Sequence, residues 1–208
     1  MKKIDTENWN RKEHFEFFSK MKSPYLGITA NIKCTRTYRQ CKENGTSFFA
    51  RYFYLSMLAA NRVPELRQRI IGNDIYEFEK INAGTTIARE DGTFGFIWVG
   101  FDEDFNTFNE RLQQEIREVQ HSTGLRLNND DLEADLIRHT TIPWVSFTSL
   151  LHPTDFGEQN AVPKISFGKI FENHGDWWMP VNIEAHHGLV DGIHIARYFH
   201  HFEKLLNA

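Results

Sequence analysis

At 208 residues, 40% of them hydrophobic, the chain is long enough for one domain spanning residues 1–208 with a core of its own. Its formal net charge of -4 excludes a general nucleic-acid binder, which needs a basic field to attract phosphate, and no apolar run approaches the ~20 residues of a membrane-spanning helix. The opening Met1-Lys2-Lys3-Ile4-Asp5 turns polar and acidic at once, unlike a secretory signal, so a cytoplasmic protein with no nucleic-acid or membrane partner is expected.

In chain order, residues 9–20 read as a helix with Phe15, Phe17 and Phe18 as its apolar residues and Thr6 or Asn8 as the cap. The Ser23-Pro24 break precedes a strand over 25–33. Cys34 and Cys41, the two cysteines, read as free thiols in a reducing compartment. Asn44-Gly45 marks a turn. Residues 47–60 read as a second helix, whose stripe of Phe48, Phe49, Tyr52, Phe53 and Tyr54 is best explained by core packing. A short helix starts at Pro64 and runs to 69. Strands follow at 75–78, 85–88 and 94–99, then an amphipathic helix over 105–120 and a polar loop over 125–131. Further strands are expected at 144–149, 164–167 and 177–183, and a last helix at 192–206. Helices and strands alternate irregularly, without repeats or linkers, which predicts an α/β fold with a mixed sheet.

The junction between the last strand and the last helix carries His186-His187-Gly188-Leu189-Val190-Asp191-Gly192-Ile193-His194. A histidine held at such a junction can act as a general base, because its unperturbed pKa lies near working pH. The pair could equally be core histidines beside an Asp that caps the helix. Spacing alone leaves both open. His187 with Asp191, or His186, Asp191 and His194, are also spaced so that zinc could be held. No His-Glu-x-x-His pattern accompanies them, and ten histidines produce such spacings by chance, so no metal is expected. No Gly-rich phosphate loop supports nucleotide chemistry.

The nine-residue run resembles the signature of the trimeric, catalytic-histidine chloramphenicol acetyltransferases, and a looser version occurs in the acyltransferase domains of the 2-oxoacid dehydrogenase complexes. Two further segments agree. Asp5-Thr6-Glu7-Asn8-Trp9-Asn10-Arg11-Lys12-Glu13-His14-Phe15 is similar to that family's opening segment, and Ile142-Pro143-Trp144-Val145-Ser146-Phe147-Thr148-Ser149 matches a run from its middle. The resemblance spans nearly the whole chain.

The resemblance implies a two-layer sandwich, with a mixed β-sheet and helices packed on it, assembled as a homotrimer with active sites at the interfaces. It implies transfer of the acetyl group of acetyl-CoA to a hydroxyl of chloramphenicol, an antibiotic inactivation. His187 is the implied base, its ring oriented by its own backbone carbonyl, and Asp191 the implied ion-pair partner of Arg11. Loss of one partner from such a pair, if buried, costs about 3–5 kcal/mol. Thr140 stands where the family has a serine as oxyanion donor, and Ser166 where it has a threonine acting through a bound water. Lys169 is placed for the mouth of a CoA tunnel, and Tyr25, with Leu26, for an apolar wall. Ser146 and Thr148 either line the pocket or face solvent. His152, Asp155 and Glu158 make the expected acceptor segment more polar than the family's, which leaves a different hydroxyl acceptor open. A non-catalytic binding or assembly module of the same fold is the remaining reading.

Overall fold

The structure is a computed structural model and describes residues 1–127, 134–153 and 161–208. A two-residue strand β1 (Lys2–Lys3) and helix α1 (Lys12–Phe18) lead into β2 (Tyr25–Lys33), α2 (Thr35–Glu43) and α3 (Phe48–Asn61). A 3-10 turn (Pro64–Arg67) opens a hairpin of β3 (Gln68–Ile71) and β4 (Asp74–Glu77). Then come β5 (Asn82–Ala88), β6 (Phe94–Val99) and α4 (Phe105–Gln120). The chain continues through β7 (Leu136–Ile142), β8 (Lys164–Gly168), β9 (Phe171–Asn173), β10 (Asp176–His186) and α5 (Gly192–Leu206).

The architecture is α/β with a mixed seven-stranded sheet, ordered β2-β10-β8-β7-β5-β6, with β9 paired to β10. β10 runs antiparallel to both β2 and β8, whereas β8, β7 and β5 run parallel. Strand alternation sends one set of side chains into the helical layer. Val181, Ile183 and Ala185 of β10 join Ile165 and Phe167 of β8 and Ile137 of β7 in the core. Phe167 meets Tyr52 of α3 and Phe202 of α5 there, with ring centroids 4.8 Å and 6.0 Å apart. Helix α5 buries Ile195, Tyr198, Phe202 and Leu206, one stripe at helical spacing. Each such side chain contributes about 1.5–3 kcal/mol on burial, so the start of α5 is firmly placed.

The other set of side chains is polar. Thr29, Asn182, Ser166 and Thr140 lie opposite one another across β2, β10, β8 and β7, and Glu184, Lys164 and Arg138 form the next row. On this face Asn182, Ser166 and Glu184 are buried, whereas Thr29, Thr140, Lys164 and Arg138 are half-buried.

The elements differ from expectation in several places: β1, β3 and β9 were not expected, β3 beginning inside the helix expected over 64–69, and three further differences have a clear cause. Residues 144–149 form turns and bends, not a strand. Pro143 has no N–H to offer, and the segment is fastened instead by Lys169 N–H to the Val145 carbonyl and by the Ser146 hydroxyl to the Lys169 carbonyl. Helix α2 was hidden because it buries Thr35, Thr37 and Cys41 and no large apolar residue. Strand β7 was hidden because its inward positions include His139 and Thr141, the latter hydrogen-bonded to the Tyr52 hydroxyl at 3.0 Å. Residues 128–131 of the expected polar loop lie outside the described residues.

His139 is 2% exposed and meets Ser56 and the Ile137 carbonyl, and burial holds its pKa down to about 4. The unfolded chain therefore binds a proton near pH 6.5 that the folded chain refuses until about pH 4, so stability falls as pH drops through that window and is complete above it. Thermal unfolding at pH 7 and pH 4.5 should differ by up to about 3 kcal/mol from this group, and His139→Gln should flatten that part of the slope.

Candidate active site

Strand β10 ends at His186, and the chain then turns sharply so that Leu189 and Val190 both donate N–H to the His186 carbonyl at 2.9 Å. His186 is 5% exposed, and burial pushes its pKa down to about 4. Its neutral Nδ1 accepts the Gly188 N–H at 3.1 Å, so it ties the turn together. Gly188 leaves no room for a side chain: a Cβ there would stand 3.1 Å from the Phe15 backbone.

His187 is half-buried at the outer edge of this turn. Its N–H donates to the Pro24 carbonyl at 2.7 Å, and its ring stacks on Phe18 of α1 with centroids 3.9 Å apart. Its Nδ1 lies 3.1 Å from the Val190 carbonyl oxygen. A carbonyl can only accept, so Nδ1 carries the proton and Nε2 presents a lone pair, the tautomer a general base needs. The orienting group is thus the Val190 carbonyl. The carbonyl of His187 itself, the expected partner, accepts instead from Arg11 Nη2 at 3.0 Å.

Arg11 and Asp191, 180 positions apart, do meet, at 3.7 Å between Nη1 and Oδ2. The Asp191 side chain is 44% exposed, which takes the pair out of the buried regime and its larger cost. Asp191 is also the N-cap of α5: its carboxylate accepts the Gly192 N–H at 2.7 Å. That backbone bond, with the Arg11 guanidinium behind it, holds the carboxyl below the usual carboxylate range. Both readings of Asp191 therefore hold at once.

Tyr25 stands at the same end of the sheet, paired with His186 across the strands and 6.0 Å from its ring. The remaining sequence-derived residues lie elsewhere. Thr140 and Ser166 sit in register with Asn182, five residues before His187 along β10. That is roughly 16 Å along the strand, and two strand spacings add roughly 10 Å sideways for Thr140. Lys169 follows Gly168, which pairs one step further along β8, and is exposed, with Ser146 fastened to its carbonyl. Thr148 is exposed in the same turn. The chain thus divides these residues between two ends of one sheet: His187, Arg11, Asp191 and Tyr25 at one, Thr140, Ser166, Ser146, Thr148 and Lys169 toward the other.

Ser166 is fully buried, its hydroxyl 2.7 Å from His152 Nε2, while His152 Nδ1 lies 2.9 Å from the Glu184 carboxylate. Asp155 and Glu158 lie outside the described residues. Among the described residues no group of three or more His, Cys, Asp or Glu side chains is placed to hold a metal ion. His186 and His194 both spend Nδ1 on backbone N–H groups of the turn. Sequence reasoning missed Phe18, the Val190 carbonyl, and His194 as a partner of the Asp191 N–H at 2.9 Å. The last was legible, because a side chain three residues after an N-cap Asp is the capping-box position.

A sequence model of the chloramphenicol acetyltransferase family matches residues 1–203. A chloramphenicol acetyltransferase of Clostridium perfringens is 28% identical over 204 residues, covering 97% of this chain and 93% of the relative. One of Campylobacter coli is 28% identical over 207 residues, covering 99% and 98%. A solved chloramphenicol acetyltransferase structure superposes with a TM-score of 0.90 at 30% identity, covering 98% of each chain. A probable dihydrolipoamide acetyltransferase from Listeria monocytogenes, at 15% identity and a TM-score of 0.67, covers 93% of this chain and 88% of its own and shares the fold.

The two partners of Arg11 differ in weight. Asp191→Asn keeps a good N-cap and loses only an exposed pair, so it should cost at most about 1 kcal/mol in a denaturant titration. Arg11→Ala should cost more, about 1.5–3 kcal/mol, because it also strips a charged donor from the His187 carbonyl. The Asp191 contribution is complete above the ordinary carboxylate range and disappears as pH falls through and below it; Asp191→Asn should lack that acid dependence.

Proposed function

The chain belongs to the chloramphenicol acetyltransferase family and is an acyltransferase, and from that premise we propose that it moves the acetyl group of acetyl-CoA to a hydroxyl of chloramphenicol, with His187 as general base. The observation that carries the assignment of the base is the bond from His187 Nδ1 to the Val190 carbonyl, which leaves Nε2 as the acceptor. In this mechanism Nε2 takes the proton of the acceptor hydroxyl as its oxygen attacks the thioester carbonyl. The tetrahedral oxyanion then collapses, the C–S bond breaks, and the departing CoA sulfur takes the proton from Nε2, which returns His187 to its neutral form. Base assistance of this kind contributes about 10²–10⁴-fold.

The oxyanion needs a donor where its charge develops. Thr140 is the proposed donor and Ser166, beside it in the sheet, supports that end with His152. Their distance from His187 along β10 supports a site completed by a second copy, the His187 end of one chain facing the Thr140 end of the next. Contacts of that head-to-tail kind close into rings where the rotation allows, and a ring of three is the closure proposed. Tyr25 contributes an apolar wall beside His187, and Lys169, exposed beside the turn that carries Ser146 and Thr148, a cation for the CoA phosphates. Arg11 and Asp191 hold the turn and touch no substrate.

The chain is read as one domain over 1–208, supported by a single hydrophobic cluster that runs from Ile32 to Leu206. No described helix is long and apolar enough to cross a membrane. The two buried free thiols support a cytoplasmic setting.

With acetyl-CoA and chloramphenicol, the protein should release free thiol, and His187→Ala should lower kcat by about 10²–10⁴-fold without unfolding. Retained release in His187→Ala would remove the base from the mechanism. Release with another hydroxyl compound but not with the drug would keep the enzyme class and replace the acceptor. The active species should have about three times the 24.5 kDa chain mass; an active monomer would sink the shared site.

A further inference from the structure

His187 and His194 each bond the same peptide group. The Val190 carbonyl faces His187 Nδ1 at 3.1 Å, and the N–H of the next residue, Asp191, donates to His194 Nδ1 at 2.9 Å. These two atoms belong to one amide, Val190 C=O and Asp191 N–H. On its far side His194 Nε2 lies 3.5 Å from Glu65 Oε1, in the 3-10 turn before β3. His194 is 7% exposed and the Glu65 side chain 20%, so the line runs under the surface of the molecule.

The donors all point one way. Because Nδ1 of His194 accepts, the neutral ring carries its proton on Nε2, the nitrogen 3.5 Å from Glu65 Oε1, an electrostatic contact and not a hydrogen bond. The Asp191 N–H is directed at His194, and the His187 Nδ1–H at the Val190 oxygen. Hydrogen bonds in series polarise one another, and an amide whose N–H is drawn away carries more negative charge on its oxygen. We propose that Glu65 and His194 are positioning residues for the acyl transfer, acting through the Val190–Asp191 peptide to orient His187 and to favour its protonated form as the acceptor hydroxyl gives up its proton. The inference rests on His187 being the base.

The surroundings suit this role. Burial lowers the His194 pKa, opposed by Glu65, so the ring stays neutral and keeps Nδ1 as an acceptor. Besides Glu65, the charged groups facing His194 are Arg11 from the segment before α1, Arg197 from α5 and Asp191 at the cap. Glu65 Oε1 also lies 4.0 Å from Arg197 Nη1, and its Oε2 is buried without a hydrogen-bond partner. Glu65 thus places a carboxylate, shared with Arg197, against His194 and one peptide away from the proposed base.

Two variants separate this role from helix capping. Glu65→Gln removes the charge and keeps the shape. His194→Gln keeps an oxygen at the capping-box position for the Asp191 N–H but loses the link to Glu65. Each should lower kcat about threefold with KM for both substrates unchanged, and move the acid limb of the pH–rate profile down by about half a pH unit. The double variant should lose no more than either alone. An unchanged acid limb in Glu65→Gln, additive losses in the double variant, or losses confined to KM or melting temperature would overturn the proposal. His187→Ala, assayed alongside, keeps the two readings apart: if it abolishes transfer while Glu65→Gln behaves like the parent, only this inference fails; if it retains transfer, the base itself is wrong.

Discussion

The arrangement at the end of β10 depends on one constraint: a sharp turn exposes carbonyl groups, and each must find a donor without losing the direction of the His187 ring. The His186 carbonyl takes the Leu189 and Val190 N–H groups. The His187 carbonyl takes Arg11, and the Val190 carbonyl takes the His187 ring. The long-range contact from the N-terminal segment gives the His187 carbonyl a charged donor while the ring bonds the Val190 carbonyl. It also explains why α1 lies where it does, with Phe18 stacked on His187 and Phe15 pressed against Gly188.

The sheet separates stability from recognition by strand parity. Inward residues such as Val181, Ile183 and Phe167 are packed under α3 and α5 and supply the hydrophobic free energy. Outward residues such as Asn182, Ser166 and Thr140 supply little of it, and they need partners when covered. The Glu184–His152–Ser166 chain is one solution, each buried polar atom meeting the next. Thr140, half-buried and one strand further on, keeps its hydroxyl on the same face, and its β-branch limits the directions that hydroxyl can take.

Much of this was legible from residue order. Strands β2 and β6 and helices α4 and α5 fall where periodicity puts them, since each buries large apolar residues at strand or helix spacing. Of the segments that escaped, α2 and β7 bury threonine, cysteine and histidine, which carry no hydrophobic period, and β1, β3 and β9 are only two to four residues long. Residues 144–149 misled in the opposite sense: apolar and polar residues alternate, yet Trp144 is 73% exposed and the segment joins no ladder. At the site, His186 as a packed ring and the meeting of Arg11 with Asp191 were readable from the motifs. The Val190 carbonyl as orienting group was not, because a backbone oxygen has no sequence signature. The division of the site between two ends of the sheet was not either, since it depends on strand register.

In the proposed shared site, that division would tie chemistry to assembly. Polar rows such as Thr140 and Ser166 do not drive association, because water satisfies them as well as a partner does. Among the exposed apolar residues are Trp144 and Val145 in the turn after β7, and Phe17 and Met21 in and just after α1. Covering these against a neighbouring copy stabilises at about 25 cal/mol per Å² of apolar surface removed from water. In the proposed head-to-tail ring, covering Trp144 would bring the Thr140 end toward the next copy's His187. Catalytic competence and association would then respond together to any substitution in the 143–151 turn, although that turn bears neither the base nor the oxyanion donor.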